Sequence, residues 1–170
     1  MALTKLIRSS FVSFGPESRI APPLRLGGAA RMHIGARVYI GSGSWLNCID
    51  TPENSGRRVL LSIGDDVIFS GSCTLSAVHE VRIGDRALIA RGVYISDHTH
   101  RRGDGRTLLG VGPAAAVIIG DGAWLGQNSC VLPGVSIGAG AVVGANSVVT
   151  ENIPPGGVAV GAPARVLKIL

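Results

Sequence analysis

Three of the four histidines of this 170-residue chain fall where chemistry can be done: His79, and the pair His98 and His100 in the run Ile95-Ser96-Asp97-His98-Thr99-His100. An imidazole takes up and returns a proton near neutral pH, so an outward-facing histidine suits general-base work. His100, the last residue before a long polar insertion, is the first choice for that base. His98 is the second, and Asp97 or His98 is placed to orient the reacting ring. Zinc is a rival use, because His79 and one of the other two could converge from neighbouring strands about 4.8 Å apart. No third histidine follows in the later segments, a shared ion would need ligands from another chain, and no metal is expected. The sequence contains no Ser-His-Asp spacing, no Gly-x-x-x-x-Gly-Lys and no paired catalytic carboxylates.

What must position these residues is a six-residue clock. From Ile119 an aliphatic residue recurs at Leu125, Val131, Ile137, Val143 and Val149, a period that neither a helical stripe nor strand alternation produces and that hexapeptide β-helix repeats do. Run backward, the clock groups in threes: Ile34, Ile40, Leu46; Ile63, Phe69, Leu75; Ile83, Ile89, Ile95; Ile119, Leu125, Val131; Ile137, Val143, Val149. Three units make one triangular coil, and each group opens with Ile-Gly, which suits a tight turn or a positive φ. The fifth position of the well-formed units is small, as a narrow interior corner requires, and the rule fails at Asp50 and His79, where a loop follows. On this phase Ile95 and Thr99 point inward, and His98 and His100 outward. Interruptions at 52–62, 81–82 and 101–118 all follow a third unit, so the insertions leave from one corner, which in a solenoid marks the binding face.

The length and the repeat give one domain: an N-terminal cap over 1–25, the coil over 26–161 with loop 101–118 inserted, and a tail over 162–170. The net charge of +5 and isoelectric point near 9.7 favour an anionic partner. No aromatic-basic interleaving of the kind that binds nucleic acid is present, so a polyphosphate ligand or an anionic membrane surface fits better. Lys5 and Arg8 among Leu3, Leu6, Ile7, Phe11, Val12 and Phe14 suit either peripheral membrane contact or, as the preferred reading, a cap on the end of the prism. Cys48, Cys73 and Cys130 have no metal-type spacing and their odd number argues against a disulfide framework, which points to the cytoplasm.

The run Ile119-Gly-Asp-Gly-Ala-Trp-Leu-Gly-Gln-Asn-Ser-Cys-Val-Leu-Pro-Gly-Val-Ser-Ile-Gly138, with Val143-Gly-Ala-Asn-Ser-Val-Val-Thr150, Ile153-Pro-Pro155 and Val160-Gly-Ala-Pro-Ala-Arg165, closely resembles the hexapeptide-repeat acyltransferases. Within that family it is most similar to the O-acetyltransferases of sugars and surface polysaccharides, such as the maltose and galactoside enzymes. The resemblance implies an all-β fold, a left-handed parallel β-helix, assembled as a homotrimer with acetyl-CoA in grooves between neighbours and a carbohydrate acceptor. It places the catalytic histidine on His100, and cofactor contacts on Gln127 and Ala145 along the pantetheine groove, on Thr150 in the adenosine-proximal strand, and on Arg165 and Lys168 at the CoA phosphates. Glu151 departs from a frequently basic position there. Trp124 falls near the acetyl and acceptor site, and Arg101 and Arg102 begin a loop that covers the acceptor. The alternatives are serine or amino-sugar acetylation, and a non-catalytic or metal-binding β-helix trimer.

Overall fold

A computed structural model describes residues 2–102 and 108–170. Every clock residue from Ile34 to Val149 is at most 1 % exposed, and the coils stack in register. Ile34, Ile63, Ile83, Ile119 and Ile137 are ladder partners in one parallel sheet. Ile40, Phe69, Ile89, Leu125 and Val143 are partners in a second, and Leu46, Leu75, Ile95, Val131 and Val149 in a third. Each strand is only two to four residues long where the coil is regular, so its stability comes from stacking one aliphatic rung on the next at about 25 cal/mol per Å² of apolar surface removed from water.

The prism extends further toward the N-terminus than the clock shows. Phe14, Ile20 and Leu26 pair with Ile34, Ile40 and Leu46 and form a further coil, of which Phe14 and Ile20 lie inside the stretch expected to be a cap. The element over its end is short: a helix at Ala2–Ile7 and a 3-10 turn at Arg8–Ser10, tied down by the Ile20 N–H donating to the Thr4 hydroxyl at 3.1 Å. At the other end Gly157–Gly161 joins the second sheet and Ala164–Ile169 returns antiparallel along its edge. No helix among the described residues is long and apolar enough to cross a membrane.

The Ile-Gly glycines are required for closeness rather than for a positive φ. A Cβ at Gly120 would stand 2.4 Å from the Ala139 nitrogen of the next coil. The left-handed residue comes two places later, at Arg37, Asp66, Arg86, Gly122 and Gly140. Between these positions runs an aspartate ladder: Asp65, Asp85 and Asp121 each accept, through Oδ1, a backbone N–H of the preceding coil, from Ala36, Asp65 and Asp85. These bonds satisfy the corner's backbone donors where the sheets cannot.

Candidate active site

The insertions do leave from one corner, between the third sheet and the first. The third insertion folds as an antiparallel hairpin of His98–Arg102 with Leu108–Ala114, in which His98 faces Ala114 and His100 faces Val111. Residues 103–107 of the loop, with Asp104 and Arg106, lie outside the described residues, as does the side chain of Arg102. Arg101 is described and exposed.

The hairpin changes the expected facing of the histidines. Thr99 is exposed rather than inward, and His98 is buried at 7 % exposure rather than outward; His100 is exposed as expected. The chain stops turning inward at Ser96, and the insertions fold back over this corner, so Ser76, Ser96 and His98 are covered although they are polar. The two rings stand edge to face with centroids 6.0 Å apart.

Beneath them lies Asp97, fully buried. Its Oδ2 accepts the backbone N–H groups of His79 and Glu80, both at 2.7 Å, and Val78 N–H lies 3.0 Å from both oxygens. Its Oδ1 is 2.8 Å from Nδ1 of His98. A carboxylate is acceptor-only, so the proton between them belongs to Nδ1, and in the neutral ring the free lone pair is that of Nε2. The Asp97 carboxylate thus fixes a tautomer and also ties the exit of one coil, residues 78–80, to the base of the hairpin.

Between the hairpin and the 49–54 segment is an open cavity of about 690 Å³ whose wall includes Asp50, Glu53, His79, Arg101, Val111 and Ala114. Ala114, at one end of that wall, is the cross-strand partner of His98 in the hairpin. Sequence reasoning did not reach the 50–54 segment. Its pin is Asn54, buried in a polar loop, whose Nδ2 donates to the carbonyls of Ile49 and Val78 at 2.8 Å, and one loop asparagine carries no signal of that role. Asp50 is paired with Arg31 at 2.6 Å. The Glu53 carboxyl is held below its usual range by its own backbone N–H, then by the Thr51 hydroxyl and the charge of Arg101. His79 turns its Nε2 toward Arg57 at 3.4 Å. Among the described residues no three His, Cys, Asp or Glu side chains gather as a metal site would require.

The remaining candidates are divided over the prism. Gln127 and Ala145 are exposed one coil apart, at the corner between the second and third sheets, where Asn146 N–H donates to the Gln127 carbonyl at 2.8 Å. Thr150 follows the last strand of the third sheet, two ladder steps from Ser96 along the histidine corner, or about 10 Å. Arg165 reaches that end of the prism, 3.4 Å from Glu151. Lys168 lies opposite Val158 on the second sheet. Trp124 is half exposed on the outer face of the same sheet, across the prism from the histidine corner, in a ladder with Tyr39, Ile68 and Leu88. One chain therefore does not bring Trp124 to His98.

A family model described as the hexapeptide repeat of succinyl-transferase matches residues 60–97 and 116–151. Nodulation protein L of Rhizobium meliloti is 40 % identical over 138 residues, 81 % of this chain and 75 % of that protein. The putative lipopolysaccharide biosynthesis O-acetyl transferase WbbJ of Escherichia coli is 39 % identical over 122 residues, 66 % of this chain and 62 % of that protein. The chain thus spans between 62 % and 75 % of the length of these two relatives. The crystal structure of AntD, an N-acyltransferase from Bacillus cereus in complex with dTDP and 3-hydroxybutyryl-CoA, superposes with a TM-score of 0.82 over 99 % of this chain and 88 % of that one, at 22 % identity. The coil is the left-handed parallel β-helix of that fold.

Proposed function

Because the chain belongs to the hexapeptide-repeat acyltransferase family, we propose that it transfers an acetyl group from acetyl-CoA to a hydroxyl of a sugar or surface-polysaccharide precursor, with His98 as the base. The observation that carries the assignment to His98 is its 2.8 Å contact with the buried Asp97 carboxylate. His100 has no such partner among the described residues.

In this reading Nε2 of His98 takes the proton of the acceptor hydroxyl as that oxygen attacks the thioester carbonyl. Asp97 stabilises the imidazolium that forms, and the same proton then passes to the departing CoA sulfur, leaving an acetyl ester and a free thiol. Transfer is direct, with no acyl-enzyme.

The donor lies along the coils C-terminal to His98, past Thr150, where Arg165 and Lys168 meet its phosphates by charge-assisted hydrogen bonds. The working unit is a homotrimer. Trp124, Gln127 and Ala145 stand away from the histidine corner of their own chain, so a head-to-tail ring, in which they meet the His98 corner of a neighbour, completes the site. Tyr39, Ile68, Leu88 and Trp124, 39 to 49 % exposed and in one ladder, supply an apolar surface of the kind such an interface buries. Acceptor-dependent release of thiol from acetyl-CoA tests the proposal.

A further inference from the structure

Three successive coil exits, at residues 49–54, 78–80 and 97–98, lie one on the next at the histidine corner, and Asn54 joins the first two. It ends the short turn Pro52–Asn54 of the first insertion and is buried. Both hydrogens of its amide nitrogen are spent, on the carbonyls of Ile49 and Val78 at 2.8 Å, and its Oδ1 accepts the Thr51 N–H at 3.0 Å. A flipped amide would set its oxygen against two carbonyls, so the network admits one orientation. Among the described residues the Val78 carbonyl has no other donor. That carbonyl shares a peptide group with the His79 N–H, which donates to Oδ2 of Asp97 at 2.7 Å. The other oxygen of the same carboxylate meets Nδ1 of His98 at 2.8 Å. Hydrogen bonds therefore run unbroken from Asn54, through one peptide group and one carboxylate, to the imidazole.

Resting on the assignment of His98 as the base, we propose that Asn54 is a positioning residue for it: by holding the Val78–His79 peptide it fixes the Asp97 carboxylate, and through that the tautomer and angle of the His98 ring. Two effects carry the influence. The bond to the Val78 carbonyl sets the plane of the peptide and so aims the His79 N–H at Oδ2. It also polarises the peptide and strengthens the bond that N–H donates, an effect enlarged away from water. Asn54, Val78, Asp97 and His98 are each at most 7 % exposed. Asn54 itself takes no part in proton transfer, since both of its N–H groups are committed inside the protein. The first insertion thus supports the base that stands at the third.

The test pairs a spectroscopic readout with kinetics on the full chain, for the unaltered protein, Asn54→Ala and Asn54→Ser, the serine variant losing less packing. Long-range ¹H–¹⁵N NMR of the histidine rings, with the His98 signals assigned by their loss in His98→Ala, reports the tautomer directly. The unaltered protein is expected to show His98 protonated at Nδ1 alone, and Asn54→Ala a mixture with the Nε2–H form. In thiol release from acetyl-CoA below the melting range, kcat is expected to fall about 10- to 100-fold in Asn54→Ala, the cost of a misplaced catalytic group, with KM for acetyl-CoA unchanged. A folded Asn54 variant with an unaltered His98 tautomer would overturn the proposal whatever its kinetics, as would a rise in the acceptor KM at constant kcat. Failure of both variants to fold would confine Asn54 to stability and overturn it too. A tautomer shift in a protein that releases no thiol with any acceptor would uphold the hold of Asn54 on His98 and sink the transferase reading instead.

Discussion

Nδ1 of His98 lies 2.8 Å from Oδ1 of Asp97, a carboxylate with no exposure to solvent. Three consecutive backbone N–H groups, of Val78, His79 and Glu80, converge on the same carboxylate. Asp97→Asn is therefore expected to do two separable things. It replaces an acceptor by an NH₂ group facing N–H donors, costing about 1–3 kcal/mol of stability. It also removes the acceptor that fixes the imidazole tautomer, and kcat is expected to fall by about 100-fold or more. Thermal unfolding and steady-state kinetics below the melting range separate the two, and a loss of stability with unchanged kcat would restrict Asp97 to a structural role.

The outer ladder of the second sheet makes its own prediction. Leu88→Asp puts a charge in the middle of the Tyr39–Ile68–Leu88–Trp124 stripe, 39 to 49 % exposed in the single chain, while leaving the interior rung Ile89 untouched. Analytical ultracentrifugation is expected to show a folded monomer, and turnover to be lost although His98 is intact. A Leu88→Asp trimer with full activity would remove this face from the assembly.

At the donor end, Arg165 is shared with Glu151 at 3.4 Å on an exposed surface. Glu151→Gln frees the guanidinium and is expected to tighten CoA several-fold, with a steeper salt dependence. Arg165→Ala with Lys168→Ala is expected to weaken CoA more than dephospho-CoA. Equal losses for the two ligands would show that these cations do not read a phosphate.

The thiols are expected to be graded in reactivity. Burial, with the nearby carboxylates of Asp97 and Asp50, pushes Cys48 up to about 12. Burial also raises Cys73 and, with less of it, Cys130. Raising a thiol's pKa lowers its thiolate fraction at any pH below that value, and thiolate is the nucleophile. In the native protein at pH 8, alkylation followed by mass spectrometry is expected to find Cys130 labelled first and Cys48 and Cys73 protected until unfolding.

The coil was legible because one small motif recurs under the same constraint: each rung of the interior, from Ile34 to Val149, needs an aliphatic residue, and period six writes that need into the sequence. The coil of Phe14, Ile20 and Leu26 was less so, since it precedes the clean repeats and its outer side is closed by the short helix at Ala2–Ile7. The common corner of the insertions could be counted out from the spacing. The choice between His98 and His100 could not. It depends on the hairpin folding back over Ser96 and His98, which covers positions that the repeat's phase makes outward, and no local pattern encodes that cover. The same holds for Glu53 and Asn54, which enter the cavity wall and its support only because the loop after the second coil docks on Val78.

The most direct test of the account is thiol release from acetyl-CoA over a panel of methyl glycosides, with the unaltered protein, His98→Ala and His100→Ala side by side. Acceptor-dependent release is expected to fall by about 100- to 10,000-fold in His98→Ala, the range of a lost general base, with CoA binding retained, and to fall far less in His100→Ala. Near-normal release in His98→Ala, or loss confined to His100→Ala, would contradict the assignment of the base to the histidine that Asp97 holds.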